Sequence, residues 1–324
     1  MLVIDMCPQA NIYQLLLGGG KKGYKNNQKL QGTYTRCNVV GFIYWILNGN
    51  SEFKSLPKNS TYKVRASLYN ESIPENMYLI AGDSFLKSLS LALNYSVLNP
   101  ANDTAWKNHM TAIKRLCQSE FDKEKYKELV VFIDCNPSFS IYTQMALLSS
   151  DYLIIPMITD FTSLEGIKGI LMLLYEQYPS ESLKKYASKV LTFNKQVKRF
   201  ELKLPKIKQF VFNNYTSNKG VAKADKYIRQ ELINFCYRQY QSFPQYFTRN
   251  DNSLDSLITW QNAYFTNVKD FHSSGKVSAS IGTPLHQLPD KGEIFKMPDG
   301  EEITLAKHRY EEAVENVKYL VSKL

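Results

Sequence analysis

With 324 residues, 44% of them apolar and 13% aromatic, the chain can bury one large hydrophobic core or two smaller ones. Its longest apolar runs, such as "ELVVFID" and "DYLIIPMI", are too short to cross a bilayer, and no charged segment precedes a signal-type core, so a soluble, non-secreted protein is predicted. A net charge of +10 and a pI near 9.1 favour an anionic partner such as nucleic acid.

The first predicted element is "MLVID", a short apolar strand closing on Asp5. The glycine- and lysine-rich "GGGKKGYKNNQKLQG" that follows reads as weakly ordered, as does "GNSEFKSLPKNSTYK". "NDTAWKNHMTAIKRLCQSEFDKEKY" is compatible with a helix, and "ELVVFID" repeats the design of the first strand, closing on Asp134. "DYLIIPMI" and "IKQFVFNN" are two further apolar runs, separated by the helix-compatible "SLEGIKGILMLLYEQY" and followed by "GVAKADKYIRQELINFCYRQY". Strands apolar on both faces, alternating with helices, predict an α/β fold with a mostly parallel central sheet.

From Leu183 to Phe210 nine Lys or Arg stand against one acid, Glu201, a stretch read as a solvated basic face or loop. The last predicted helix, "HRYEEAVENVKYLVSKL", carries an apolar stripe of Tyr310, Ala313, Val314, Val317, Leu320, Val321 and Leu324. Glu311, Glu312 and Glu315 flank that stripe where a membrane-surface helix would carry Lys and Arg, so docking on a core is predicted.

Cys7, Cys37, Cys117, Cys135 and Cys236 include no C-x-x-C pair and are odd in number, which predicts reduced cytosolic thiols. The histidines, His109, His272, His286 and His308, lack metal-ligand spacing and carry no predicted catalysis. In an open α/β sheet the crevice at the carboxyl ends of the strands binds the ligand, and Asp5 and Asp134 both stand there. Two such acids can hold a hydrated Mg²⁺ and position a water for phosphate chemistry, although Asp after a strand also serves as a turn or cap residue.

"MLVIDMCPQAN" resembles the strand and switch motif of the ParA/MinD family of deviant Walker ATPases, whose usual form is an apolar run and then Asp-x-Asp-Pro-Gln-x-Asn. "VVFIDCNPSFSIYTQMALLSSDYLIIPMITDFTSLEGIKGI" is similar to that family's Walker B strand, the turn and helix after it, the next strand and the start of the following helix. "SIPENMYLIAGD" and "FVFNNYTSNKGVA" are looser matches, and the resemblance fades after about Tyr240.

The resemblance implies a P-loop NTPase-like fold with ATP and Mg²⁺ as cofactors. Asp5, Gln9 and Asp134 would be catalytic, with Asp5 and Asp134 also on the metal; Asn213, Asn214 and Pro137 would meet the nucleotide. It also implies ATP-dependent dimerisation, DNA binding without sequence preference, a ParB-like partner, and a cytoplasmic, nucleoid-associated protein without membrane attachment, acting in plasmid or chromosome partition. Lys219, Lys223, Lys226 and Lys276 are the DNA-contact candidates.

Two departures qualify those expectations. In the family a first strand, a phosphate-binding loop and a helix precede the strand matched by "MLVID"; "GGGKKGYK" has Tyr24 and Lys25 where Lys and Ser/Thr are needed and follows no strand. The chain is therefore read as an N-terminally shortened copy, one 1–324 domain with resemblance clearest over 1–240, inactive as it stands and holding no nucleotide tightly. The alternative is a nucleotide-independent DNA-binding or adaptor protein on the same scaffold. Cys7, the second departure, replaces the acid expected to orient the attacking water.

Overall fold

The computed structural model describes residues 1–57, 61–121, 127–136, 138–215, 223–249, 252–288, 294–297, 300, 302–304 and 307–324. The chain divides into two compact units, Met1–Ser149 with His272–Lys307, and Ser150–Phe271 with His308–Leu324.

In the first unit β1 (Leu2–Asp5) leads through α1 (Tyr13–Leu16), α2 (Gly20–Gln31) and α3 (Val39–Trp45) to β2 (Val64–Arg65) and β3 (Tyr78–Ile80). There follow α4 (Leu86–Val97), α5 (Ala105–Met110), α6 (Ala112–Ser119), β4 (Val131–Asp134) and α7 (Ile141–Ser149). The strands form a four-stranded sheet in the order β2-β3-β1-β4, with β1 parallel to both neighbours and β2 antiparallel at one edge. Leu2, Ile4 and Asp5 are buried because β1 lies between strands and is covered by helices, as a parallel sheet requires. Phe42 and Ile43 of α3, Leu86 and Leu93 of α4, and Ile113 and Leu116 of α6 are fully buried around it. Each such side chain contributes roughly 1.5–3 kcal/mol relative to exposure.

Two local readings change. The stretch expected to be weakly ordered is helix α2, entered through Gly18, Gly19 and Gly20 at positive φ, with Gly23, Asn27 and Leu30 turned inward at helical spacing. The single helix expected over 102–126 breaks at Thr111, whose hydroxyl and N–H both donate to the Lys107 carbonyl, at 2.8 and 3.0 Å, a back-bond of the kind that bends helices.

The second unit contains β5 (Tyr152–Met157), α8 (Phe161–Tyr175), α9 (Glu181–Ala187), α10 (Phe193–Arg199), β6 (Lys206–Tyr215), α11 (Lys223–Ser242), α12 (Leu257–Tyr264) and β7 (Phe265–Lys269). Its parallel sheet runs β5-β6-β7, packed with Phe210, Phe212, Trp260, Tyr264 and Phe265. The chain returns to the first unit with α13 (His272–Ile281) and the hairpin β8 (Ile294–Lys296) and β9 (Glu302–Thr304), and ends in the second with α14 (Lys307–Lys323). There Lys269 pairs with Glu312, and Lys323 donates to the Asn262 carbonyl at 2.6 Å. Val314, Val317 and Leu320 are half-buried on α14 while Val321 is exposed. No helix among the described residues is long and apolar enough to cross a membrane.

Candidate functional site

The site is built by β1, β3 and β4 of the first unit. Parallel pairing sets Leu2 opposite Val131 and Ile4 opposite Ile133, so the two acids that close these strands, Asp5 and Asp134, are register partners. The Met6 N–H continues the ladder to the Asp134 carbonyl at 2.8 Å. β1, between two strands, is buried nearly throughout, whereas β4 is an edge strand with Phe132 exposed and Val131, Ile133 and Asp134 half-buried; both acids stand at the carboxyl ends of their strands.

The two acids have different surroundings. Asp5 is wholly buried; its Oδ1 accepts the Cys7 N–H at 3.0 Å and its Oδ2 the Ile12 N–H at 3.4 Å. It thereby ties down the turn that carries Pro8 and Gln9, in which Ala10 takes a left-handed conformation at φ 51°. Under the carboxylate lies Gly82, where a Cβ would stand 2.6 Å from Asp5 Cγ and 2.8 Å from the Ala10 methyl. Burial, foremost, pushes the Asp5 pKa up to about 7; the Cys7 N–H opposes it, the Asp134 charge adds to it, and the Ile12 N–H opposes it. Asp134 is half-buried, and burial raises its pKa as well. Cys7 is buried and Gln9 exposed, while burial, with Asp134 and Cys7 beside it, pushes the Cys135 thiol up to about 11.

A hydrated magnesium ion needs carboxylate oxygens that reach water. Both Asp5 oxygens are engaged by backbone donors away from solvent, which leaves Asp134 as the open carboxylate. Among the described residues no three His, Cys, Asp or Glu side chains come together as a metal set. The glycines before α2 form no phosphate cradle, since they pack on the backbone of Ser280–Gly282. These residues do not by themselves fit a magnesium nucleotide, and no catalytic step is assigned to them.

Sequence reasoning missed a third acid. Asp83, three residues beyond Ile80 at the end of β3, is buried; its Oδ2 accepts Nε and Nη2 of Arg36 at 3.2 and 2.7 Å and Nδ2 of Asn38 at 2.8 Å, and its Oδ1 accepts the Phe85 N–H. The signal was present in "YLIAGD", which repeats the apolar-run-then-acid design.

Asn213 is exposed on β6, and the side chains of Asn214 and Lys223 fall outside the described part, as do Pro137 and Lys219 entirely. Lys226 is exposed on α11 in the second unit, and Lys276 is exposed on α13 in the first. The basic stretch folds into α9 and α10 and spends part of its charge internally. Lys195 donates to the Ser188 and Val190 carbonyls, and Lys198 pairs with Glu176. Lys185, Lys189, Lys203 and Lys206 are exposed and form no ion pair among the described residues.

Residues 1–184 match the family described as AAA domain. No curated protein matches the chain. Among solved structures, a plasmid partition protein of Borrelia burgdorferi bound to AMPPNP is 18% identical, with 100% of this chain and 86% of that chain covered and a TM-score of 0.47. Apo McdA of Cyanothece is 14% identical, with 98% and 86% covered and a TM-score of 0.49. Cobyrinic acid a,c-diamide synthase of Mycobacterium smegmatis is 17% identical, with 72% and 68% covered and a TM-score of 0.40. At such identities and TM-scores these similarities assign neither a ligand nor an activity to this chain.

Proposed function

The chain belongs to the AAA domain family, and from that premise we propose that it is of ParA/MinD type and acts in plasmid or chromosome partition as a cytoplasmic, nucleoid-associated protein. The observation that carries the reading is the register pairing of Asp5 with Asp134 at the carboxyl ends of adjacent parallel strands, the ligand end of such a sheet. The proposed work is DNA binding without sequence preference, as a homodimer and with a ParB-like partner. A net charge of +10 supports it, as do Lys226 and Lys276, both exposed.

Contacts made through phosphates alone weaken steeply with salt, with a slope of about −0.9 per contact on duplex DNA. Lys223→Glu with Lys226→Glu is expected to lower affinity for random-sequence duplexes and to flatten that slope by about two contacts per chain. Fluorescence anisotropy across a salt series measures both. Binding that ignores salt, or a double variant indistinguishable from the parent, would remove the DNA role.

The nucleotide arm is separate. Because the described glycines before α2 form no accessible phosphate cradle, calorimetry with Mg²⁺ and ATP is expected to show no saturable binding at micromolar nucleotide. Micromolar affinity would refute that expectation, and its loss in Asp134→Ala would restore the switch residues as a working nucleotide site.

A further inference from the structure

We infer that Arg36 is the centre of a phosphate-binding site at the carboxyl end of β3, apart from the Asp5–Asp134 pair. Its guanidinium is held along one edge, where Nε and Nη2 both meet Asp83 Oδ2. Nη1 points elsewhere: among the described residues no group engages it, and the side chain retains 39% of its exposure. An arginine gripped on one edge and open on the other presents a fixed fork of donors, the geometry that planar oxyanions fit.

Three features show that this placement is built into the fold. Asp83 and Asn38, which set the direction of the fork, are 1% and 0% exposed. Arg36 itself is left-handed at φ 45°, an uncommon conformation for a residue with a Cβ. Its carbonyl is seated against Gly41, where any Cβ would come within 1.8 Å of that oxygen, and it accepts the Asn38 N–H at 2.7 Å. The strained turn is thus imposed by α3, whose N-cap is the same Asn38 that holds Asp83.

The surroundings favour an anion. The Phe85 ring lies 5.8 Å from the guanidinium and is 49% exposed, so it covers one face of the charge and leaves the other open. Both Asp83 oxygens are turned to three side-chain donors and one backbone N–H, so the carboxylate lies on the edge of the guanidinium away from its free donors and is partly compensated there. The ligand class is a phosphate group, either of a small polyphosphate or of a nucleic-acid backbone.

The inference does not rest on the partition reading, and its test separates the two. Full-length protein is titrated with pyrophosphate by calorimetry and with random-sequence duplex by anisotropy, using the parent, Arg36→Lys, Arg36→Gln and Lys226→Gln. Arg36→Lys keeps a charge for Asp83 but loses the fork. It is expected to weaken the phosphate probe about tenfold with near-UV circular dichroism unchanged, and Arg36→Gln to remove saturable binding. Lys226→Gln should leave pyrophosphate binding unaltered. Loss in the pyrophosphate arm assigns a small polyphosphate, and loss confined to the duplex arm assigns a backbone phosphate; either supports the site. Should Arg36→Gln fail to fold, Arg36→Lys carries the test. Parental affinity of Arg36→Lys for both probes, or no saturable binding of either probe by the parent, overturns the inference and leaves a structural ion pair.

Discussion

Gly19→Ala is expected to abolish cooperative folding of the first unit. Gly19 caps α2 at φ 80° and ψ 148°, a region essentially confined to glycine that costs a residue with a Cβ roughly 1–3 kcal/mol before any contact is considered. Contact then makes the larger difference. An added Cβ would lie 2.2 Å from the Gly282 nitrogen and 2.4 Å from the Ile281 carbonyl carbon, both backbone atoms that no side-chain rotation can move aside. Reciprocally, a Cβ on Gly282 would lie 2.5 Å from the Gly18 carbonyl carbon, so the two segments touch backbone to backbone. Asn70 locks the contact by donating from Nδ2 to the Leu15 and Gly282 carbonyls at 2.7 and 2.6 Å. The combined cost is expected to exceed about 4 kcal/mol, a large share of the stability of an ordinary domain. Trp45 and Trp106 report on this unit, so urea unfolding followed by tryptophan fluorescence measures the effect. Gly32→Ala is the control, because Gly32 sits at φ −80° and its nearest neighbour would be 3.4 Å away. A Gly19→Ala midpoint within experimental scatter of Gly32→Ala would show that the two backbones separate freely.

That contact also explains what could and could not be read from the sequence. β1 was legible because burial of a central parallel strand forces an uninterrupted apolar run, and polarity returns at the end where the crevice opens; β4 carries the same run although, as an edge strand, it leaves Phe132 exposed. Helix α2 was not legible, since each glycine in a helix costs about 1 kcal/mol against alanine and six residues of "GGGKKG" argue locally for a loop. The partner that overrides this preference, Gly282, is far along the chain and invisible to any local window.

The same limit separates the residues of the site. Asp5 and Asp134 announced themselves as strand-closing acids, but their contrast did not, because it depends on Gly82 making room under one carboxylate and on which backbone N–H groups turn toward it. Asp83 carries the same local signature, yet an Asp after a strand reads equally as a turn residue. Only its three side-chain donors, drawn from Arg36 and Asn38, distinguish it from one. Polar residues at a sheet's end are therefore recognisable in sequence as a class. Their individual tasks are set by long-range packing.

Asp5 supplies the second large effect, a loss of stability as pH rises. Its folded-state pKa is raised to about 7 by burial, against about 3.9 for an unfolded aspartate. Between those values the unfolded chain releases the proton and the folded chain keeps it, so the folded state binds more protons and stability falls with increasing pH. The window runs from about pH 4 to about pH 7. Stability is fully retained below it and level above it, and at about 1.4 kcal/mol per pKa unit the total loss approaches 4 kcal/mol. Asp134 is displaced in the same direction, so the parent profile alone does not isolate Asp5. Asp5→Asn does: the amide cannot ionise and should remove most of the slope. Its single acceptor oxygen must leave one of the Cys7 and Ile12 N–H groups unpaired, which costs about 1–3 kcal/mol at every pH. The variant is therefore expected to be less stable than the parent at pH 5 and equal to it or better at pH 8, a crossing that a simple packing defect would not produce. Urea midpoints at half-unit pH steps test it. If the two profiles run parallel, Asp5 is ionised in the folded protein throughout, and the backbone donors of the turn outweigh its burial.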